Sequence, residues 1–264
     1  MTRPLSALAI AVALALSAGC ALAAGGSRFP DPLLALCRSA LLAESVIAAV
    51  ALAGARLLGP RPWRQLGLGP GRGRLGARGL FWLALGTVAL SHALDALVSL
   101  TGLANEGPLA SFPERIAGAR GERLLLALAA LGLAPAIAEE LLCRGLLQRA
   151  LVRRLGPGIG ISLAALAFGA LHLDPVHGAF ATLLGLYLGA AAHWADSTWA
   201  PIVCHAANNL AAVGLAALAW GAPDTLLSLA LGLSVAAACA WRVRREAGQA
   251  GSDPRAARPG TTER

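Results

Sequence analysis

Residues 123–148 read RLLLALAALGLAPAIAEELLCRGLLQ, an apolar run interrupted by two adjacent glutamates and an arginine. A membrane-spanning helix needs about 20 mostly apolar residues, which this run supplies. An ionisable side chain in the middle of a bilayer costs roughly 2.5–3.5 kcal/mol on insertion scales. The run therefore predicts a transmembrane helix whose charged residues, Glu139, Glu140 and Arg144, face a protein interior or a water-filled cavity.

The composition of the whole chain favours the same class of protein. Of its 264 residues, 57% are apolar and only 14% are charged, whereas roughly a quarter are charged in an ordinary soluble domain. These values argue against a soluble enzyme, a secreted disulfide scaffold and a disordered protein, and they favour a polytopic membrane protein. The five cysteines form no CxxC pair and lie in apolar stretches, as buried hydrophobic residues do.

Eight stretches approach the length of a membrane-spanning helix, at approximately 5–24, 33–55, 79–103, 123–148, 158–173, 178–195, 198–220 and 223–241. We predict an all-α, polytopic transmembrane helical bundle of about eight spans, or seven if the first is a cleaved signal peptide. The predicted units are a membrane anchor or signal peptide (1–24), N-terminal spans with a basic cytoplasmic loop at 56–78 (25–122), a helical core with the candidate site (123–241) and a disordered basic cytoplasmic tail (242–264).

The basic residues predict the orientation of these spans. All 22 are arginines, and the formal charge is +8. If Arg3 stays in the cytoplasm and the spans alternate, sixteen arginines fall on the cytoplasmic side and four on the other. This bias is the positive-inside signal, so the charge indicates orientation and not a nucleic-acid partner. We predict a multi-pass protein of a bacterial inner (plasma) membrane, with the N-terminus and the C-terminal tail in the cytoplasm.

Helical spacing divides the roles of the charged residues in the fourth span. Glu140 and Arg144 are four apart with the glutamate first, so they can pair along one face. Glu139 lies about 100° around the helix from Glu140 and has no local partner. A lone desolvated carboxylate suits the role of a general base. Pro135, one turn earlier, loosens the helix near this point.

Two later spans carry further polar residues at helical spacing. Phe168 and His172 share one face of the fifth span, and His205 and Asn209 share a face of the seventh, beside Asn208. Each feature alone fits a packing role, because histidine and asparagine side chains form hydrogen bonds between membrane helices. A glutamate pair, two histidines and an asparagine on three spans are difficult to explain by packing alone.

Several motifs of other membrane proteases are missing from the chain. The chain has no HExxH, no Gly-x-Ser-x-Gly and no Gly-x-Gly-Asp, which carry zinc, serine and aspartyl chemistry in other peptidases. Its single tyrosine, Tyr187, is followed by leucine, which also argues against an aspartyl intramembrane protease. The remaining chemistry is hydrolysis by a water molecule that a carboxylate and histidines activate.

The motifs Glu139-Glu140-x-x-x-Arg144, Phe168-x-x-x-His172 and His205-x-x-x-Asn209 resemble, in this order, those of the CPBP (CAAX protease and bacteriocin-processing, or Abi) intramembrane proteases. This is the family of the type II CAAX prenyl endopeptidases, and the resemblance covers roughly residues 120–220. It implies an intramembrane endopeptidase that hydrolyses a peptide bond of a membrane-associated protein or peptide.

The resemblance also implies roles for individual residues. Glu139 would take a proton from the attacking water, His172 would position that water, and His205 with Asn209 would donate hydrogen bonds to the oxyanion. Glu140, Arg144, Phe168 and Asn208 would support them. A mechanism without a cofactor is favoured, and zinc held by Glu139, His172 and His205 is the alternative.

A non-enzymatic membrane transporter or a bacteriocin-immunity protein is the competing interpretation, because intramembrane Glu, His and Arg also build proton relays. No internal repeat that would favour a transporter is evident. The expected partners are a membrane protein or peptide substrate and the lipid bilayer, with no nucleic acid. Glu44 and His177 are expected to have structural roles.

Overall fold

The computed structural model describes residues 31–69, 75–103, 111–221 and 224–252, whose regular secondary structure is entirely helical. The helices are α1 Pro32–Leu58, α2 Pro62–Gln65, α3 Ala77–Leu100, α4 Phe112–Ile116, α5 Gly121–Ala170, α6 Pro175–Ala195, α7 Trp199–Ala217 and α8 Leu226–Ser252. All of these except α2 and α4 are long and apolar enough to cross a bilayer, which makes six candidate spans in the described chain. The all-α prediction is confirmed, and the chain is a multi-pass membrane protein. The first predicted stretch, 5–24, lies outside the described residues.

Asp31 caps the first turn of the long helix α1. Asp31 Oδ1 accepts hydrogen bonds from the backbone N–H groups of Leu33 and Leu34, at 3.0 and 3.1 Å. These bonds satisfy donors that a helix start leaves unpaired. Arg123, at the start of α5, also donates to Asp31 at 2.6 Å. The bond from Leu34 and the adjacent guanidinium lower the pKa of Asp31. This ion pair joins the first turn of α1 to that of α5.

Helix α5 is a continuous run of 50 residues that reverses direction at Gly156. Gly156 has φ of 79° and ψ of 167°, a conformation that is essentially restricted to glycine. Arg144 and Phe168 each lie twelve residues from it, about 18 Å along a helix, yet the guanidinium carbon is 4.3 Å from the phenyl centroid. The two arms, α5a (121–155) and α5b (157–170), are therefore antiparallel. The predicted fourth and fifth spans are separate arms joined by this turn.

The remaining long helices pack in registers that show their directions. Helix α1 is parallel to α5a, because Asp31 meets Arg123 and Gly54 meets Leu146, both 92 residues apart. Helix α6 is also parallel to α5a. Arg144 and Gln148 both donate to backbone carbonyls 41 residues later. Helix α7 is antiparallel to α5a, because its residues approach α5a in reverse order. Helices α1 and α6 thus run parallel to α5a, and α7 runs in the opposite direction.

Helices α3 and α8 form an antiparallel pair in which glycines permit close approach. A Cβ on Gly86 would lie 2.9 Å from Cys239 Cβ, and one on Gly232 would lie 2.7 Å from the carbonyl oxygen of Ala89. Small residues at such positions are typical of membrane helix pairs. Helix α8 continues to Ser252, so the prediction of disorder from residue 242 is wrong for the first part of the tail.

Packing and an ion pair explain this longer helix. Val243 is fully buried, and Arg78 donates to Glu246 at 3.0 Å. Burial of an apolar side chain and a tertiary partner both favour continued helix where composition alone suggests a disordered tail. Residues 253–264 lie outside the described residues.

One end of the bundle collects most of the described arginines, and we call it the basic end. The α1–α3 connection meets the α6–α7 connection there, where Thr198 donates to the backbone oxygens of Leu66 and Gly67, at 2.6 and 3.2 Å. The arginines that lie in or next to these connections, near the α5 turn and at the end of α8 are Arg56, Arg61, Arg64, Arg78, Arg149, Arg153, Arg154, Arg242, Arg244 and Arg245. The opposite end carries Arg115, Arg120 and Arg123.

The turn at Gly156 generates a stability prediction. A Cβ on Gly160 would lie 2.6 Å from the backbone nitrogen of Val152 on the other arm, whereas one on Gly158 would meet nothing within 4 Å. We expect Gly160→Ala to lower the free energy of unfolding by about 1–3 kcal/mol through overpacking. Gly158→Ala is the matched control and should be neutral or slightly stabilising. Thermal unfolding in detergent measures both, and equal melting temperatures would contradict the packing described.

Candidate active site

A single imidazole lies between two carboxylates at the centre of the bundle. His205 Nδ1 is 3.0 Å from Glu140 Oε1, and His205 Nε2 is 3.9 Å from Glu139 Oε2. All three side chains are largely or wholly buried. The antiparallel packing of α7 against α5a brings His205 to the level of the glutamate pair. The sequence spacing separated the two glutamates around the helix, but both reach the same histidine.

The predicted pairing of Glu140 with Arg144 is confirmed. Arg144 Nη1 donates to Glu140 Oε1 at 2.8 Å, and both side chains are completely buried. Arg144 Nη2 donates to the carbonyl oxygen of Gly185 on α6 at 2.9 Å. The guanidinium also lies over the Phe168 ring on α5b. One arginine therefore neutralises Glu140 and joins three helical segments.

The backbone around the glutamates departs from the regular α-helix. Wider π-helical turns, Leu128–Leu133 and Leu141–Gln148, flank the α-helical segment Ala134–Glu140. Pro135 stands at the start of this segment, where its missing N–H removes one helical hydrogen bond. Such π turns occur frequently at functional sites because they re-aim side chains. The predicted loosening near Pro135 corresponds to the first of them.

Phe168 separates the two histidines that the sequence analysis selected. The ring centroid of Phe168 is 5.1 Å from that of His172 and 5.9 Å from that of His205, both edge-to-face. His172 Nδ1 is 2.9 Å from the Phe168 carbonyl oxygen, so Nδ1 carries the proton in that bond. The Nε2 atom of neutral His172 is then an acceptor.

A third histidine stands beside His172, although the sequence analysis expected it to be structural. The imidazole of His177 lies 4.1 Å from that of His172, centroid to centroid. Asp174 caps α6 by accepting from the His177 N–H at 2.7 Å, which orients the first turn. The sequence did carry a signal for this contact. The connection between α5b and α6 is short, so His172 and His177, five residues apart, can touch.

The two asparagines follow His205 on α7. Asn208 is buried, and its Nδ2 donates to the side-chain oxygen of Asn209 at 3.3 Å. Asn209 is half-buried and lies one helical turn beyond His205. Its side-chain oxygen is occupied by Asn208, so its own amide N–H groups remain the donors that it can offer.

Residues 121–211 match the family model described as Type II CAAX prenyl endopeptidase Rce1-like. These residues form an Rce1-like domain of that family. The domain includes α5, α6 and α7 as far as residue 211, and all the residues of the three motifs lie within it. The resemblance seen in the sequence is confirmed, and the family implies a peptidase, a hydrolase that acts on peptide bonds. No curated protein and no solved structure gives a significant match to the chain.

Glu44, from outside the Rce1-like domain, brings a further carboxylate towards the site. The register between α1 and α5a places it level with Ala136, one turn from the glutamate pair. Ile47, on the same face of α1, packs in a cluster with Ala138, and Glu44 interacts electrostatically with Glu139. Glu44 Oε2 is buried without a hydrogen-bond partner among the described residues. In the sequence, the signal for this residue was a carboxylate within an apolar span. The sequence analysis expected a structural role for Glu44.

The residues suggested for zinc are not gathered into a ligand set. Within the described ranges, no three His, Cys, Asp or Glu side chains are grouped so that they could hold a metal ion. Phe168 stands between His172 and His205, and Nδ1 of His205 is directed to Glu140. In this arrangement Glu139, His172 and His205 are not grouped as the ligands of a metal ion.

The buried ion pair generates a prediction about stability. Arg144→Gln leaves Glu140 buried without its cation, which should cost about 3–5 kcal/mol of unfolding free energy. Glu140→Gln combined with Arg144→Gln removes both charges and should cost clearly less than the single arginine change. Arg78→Gln, which breaks an exposed ion pair, is the control and should cost under about 1 kcal/mol. Chemical unfolding in detergent measures all three, and a double variant that loses as much stability as Arg144→Gln alone would be the contrary result.

Proposed function

We propose that the chain is an intramembrane endopeptidase that hydrolyses a peptide bond of a membrane protein or peptide, with water activated by Glu139. The observation that carries this proposal is His205 held between Glu139 and Glu140 in a buried site of the Rce1-like domain. A buried, preorganised set of charges suits a reaction in which charge develops on an oxyanion.

Glu139 is the better placed of the two carboxylates to act as general base. Glu140 has no exposed surface and already accepts from Arg144 and His205. Glu139 keeps 8% of its surface exposed and approaches His205 only at 3.9 Å, which is too long for a direct hydrogen bond. A water oxygen beside the line from Glu139 Oε2 to His205 Nε2 can lie about 2.8 Å from both of these atoms. A water in this position would give its proton to Glu139.

The position of His205 supports it as an oxyanion donor. Its Nδ1–H donates to Glu140, whose charge Arg144 balances. A proton on Nε2, on the Glu139 side of the ring, would be available to the developing oxyanion. Asn209 adds amide donors one turn away on the same face of α7, with its side-chain oxygen held by Asn208.

His172 is suited to orient the attacking water. Its Nδ1–H donates to the Phe168 carbonyl, so the Nε2 lone pair can accept a hydrogen from water. The hairpin register that pairs Arg144 with Phe168 places His172 level with Glu140. Phe168 holds its neighbours apart and excludes solvent from the arginine.

The distribution of arginines supports a site that opens towards the cytoplasm. The positive-inside rule assigns the basic end to the cytoplasmic side of a bacterial inner membrane. Glu139 is ten residues from Arg149, about 15 Å along α5a, so cleavage would occur within the cytoplasmic half of the bilayer. The six candidate spans become seven crossings if each arm of α5 crosses the bilayer, and the stretch 5–24 would be an eighth.

The first test replaces the proposed base. Glu139→Gln keeps the shape of the side chain but removes its basicity, so we expect peptide cleavage to be lost while membrane insertion and melting temperature are retained. Comparative proteomics of membranes from wild-type and variant cells identifies the uncleaved substrate, and the reconstituted protein then confirms cleavage. Glu122→Gln, at the exposed start of α5, is the matched control and should be fully active.

Two outcomes of that test would count against the proposal. Undiminished cleavage by the Glu139→Gln protein would exclude Glu139 as the base. Loss of wild-type cleavage in a chelator, with recovery on addition of zinc, would favour the metal-dependent alternative. A transporter would instead show proton-coupled flux in vesicles and no new peptide ends.

The oxyanion donors generate a kinetic prediction for the substrate so identified. Asn209→Ala should lower kcat by about 10²–10³-fold, since removal of one oxyanion donor has that effect in other hydrolases. KM should change little, because the lost interaction forms only in the transition state. Asn208→Ala removes only the partner of Asn209 and should lower kcat less. A rise in KM with kcat retained would assign Asn209 to substrate binding.

A further inference from the structure

A cavity of about 430 Å³ opens at the basic end of the bundle, with Arg144 in its lining. Its lining includes Arg64 of α2, four polar or charged residues of α5a, and Asp196 after α6. The α5a residues are Arg144, Gln148, Arg149 and Arg153. The cavity therefore lies between helices at one end of the membrane-spanning bundle, and three separate parts of the chain build its wall.

The lining forms a buried floor and an exposed rim. Arg144 and Gln148 are only 1% and 4% exposed and form the floor, whereas Arg64 and Arg153 are exposed and form the rim. The wall is held in place, because Thr198 donates to the backbone oxygen of Leu66, at the end of α2. Gln148 is likewise fixed by its donation to the carbonyl oxygen of Gly189. The floor is thus a built surface and not a loose crevice.

The charge of this lining favours an anion. Four arginines face one acidic residue, Asp196, which lies 3.8 Å from Arg149. Glu140 balances Arg144 but binds only Nη1, and Gly185 accepts from Nη2. Arg144 Nε is a buried donor with no hydrogen-bond partner in the described part of the chain. Arginines in such an arrangement suit the oxygens of a phosphate group.

Tryptophans at the same end mark the depth of the cavity. Trp63 lies next to Arg64 and is 58% exposed, and Trp199 follows the α6–α7 connection and is 56% exposed. Exposed tryptophans concentrate where membrane helices meet the headgroup layer. Basic pockets between membrane helices at this level bind the headgroups of anionic lipids. We infer that this cavity binds the phosphate of an anionic phospholipid headgroup.

This lipid site does not depend on peptide hydrolysis, although the two sites share one residue. Arg144 contributes to the floor of the cavity and also bonds Glu140 in the candidate active site. A bound headgroup would therefore stabilise the folded bundle through the same arginine that neutralises Glu140. Stability in the presence of defined lipids is the direct measurement, and it requires no substrate.

The experiment titrates the full-length protein, purified in a neutral detergent, with a short-chain phosphatidylglycerol while its melting temperature is recorded. A ligand that binds only the folded state raises this temperature in a saturable manner. We expect phosphatidylglycerol to raise it and the matching phosphatidylcholine to leave it unchanged. Inorganic phosphate at the same concentration should also leave it nearly unchanged. An equal effect of inorganic phosphate would overturn the lipid assignment and indicate a free-anion site.

Two charge-matched double variants localise the effect. Arg64→Gln with Arg153→Gln alters only the exposed rim, so the protein should fold. Each lost arginine should weaken lipid binding by about a factor of five, so half-saturation should require roughly 30-fold more phosphatidylglycerol. Arg115→Gln with Arg120→Gln removes the same charge from exposed positions at the opposite end and should titrate as the wild type does. Unchanged lipid affinity in the rim variant, or an equal loss in the control, would refute the site.

Discussion

The carboxylate of Glu140 imposes the constraint on which the rest of the described structure depends. A fully buried charge in a membrane bundle requires both a counter-charge and hydrogen bonds to its oxygens. Arg144 supplies the first, and His205 adds a second bond from another helix. Arg144 in turn requires the carbonyl of Gly185 and the ring of Phe168. Satisfying one carboxylate therefore draws α5a, α5b, α6 and α7 together at a single level.

Glycines make that convergence sterically possible. Gly156 lets α5 fold back so that Phe168 reaches Arg144. A Cβ on Gly185 would lie 3.0 Å from the Phe168 ring and 3.1 Å from Arg144 Nη2, so any larger residue there would force these side chains to shift. Membrane helices gain little from burying apolar surface against one another, since lipid is equally apolar. Close backbone contact and satisfied polar groups have to supply the specificity instead.

The same arginine takes part in two polar features of the interior. Through Glu140 it is joined to the buried site of Glu139, His205 and the asparagines. It also lines the cavity at the basic end, which carries an excess of arginine over acidic residues. Arg144 therefore contributes to both the buried carboxylate site and the arginine-rich cavity.

Periodicity and motif spacing predicted much of this arrangement because they depend on local geometry. The apolar runs located the long helices, the i,i+4 spacing identified the Glu140–Arg144 pair, and three motifs indicated the family before any contact was known. The sequence pattern predicted too short a helix at α8. The burial of Val243 and the pairing of Glu246 with Arg78 are tertiary contacts, which local patterns do not reveal.

The sequence by itself determined the membrane class, the positions of the helices and the residues able to carry charge inside them, because hydropathy and spacing are properties of neighbouring residues. Only the tertiary structure decided which of those residues meet. The antiparallel register of α7 placed His205 between both glutamates, the turn before α6 brought His177 to His172, and the parallel register of α1 brought Glu44 towards Glu139. Residues this far apart in the chain are joined by helix packing, whose register local sequence patterns do not specify.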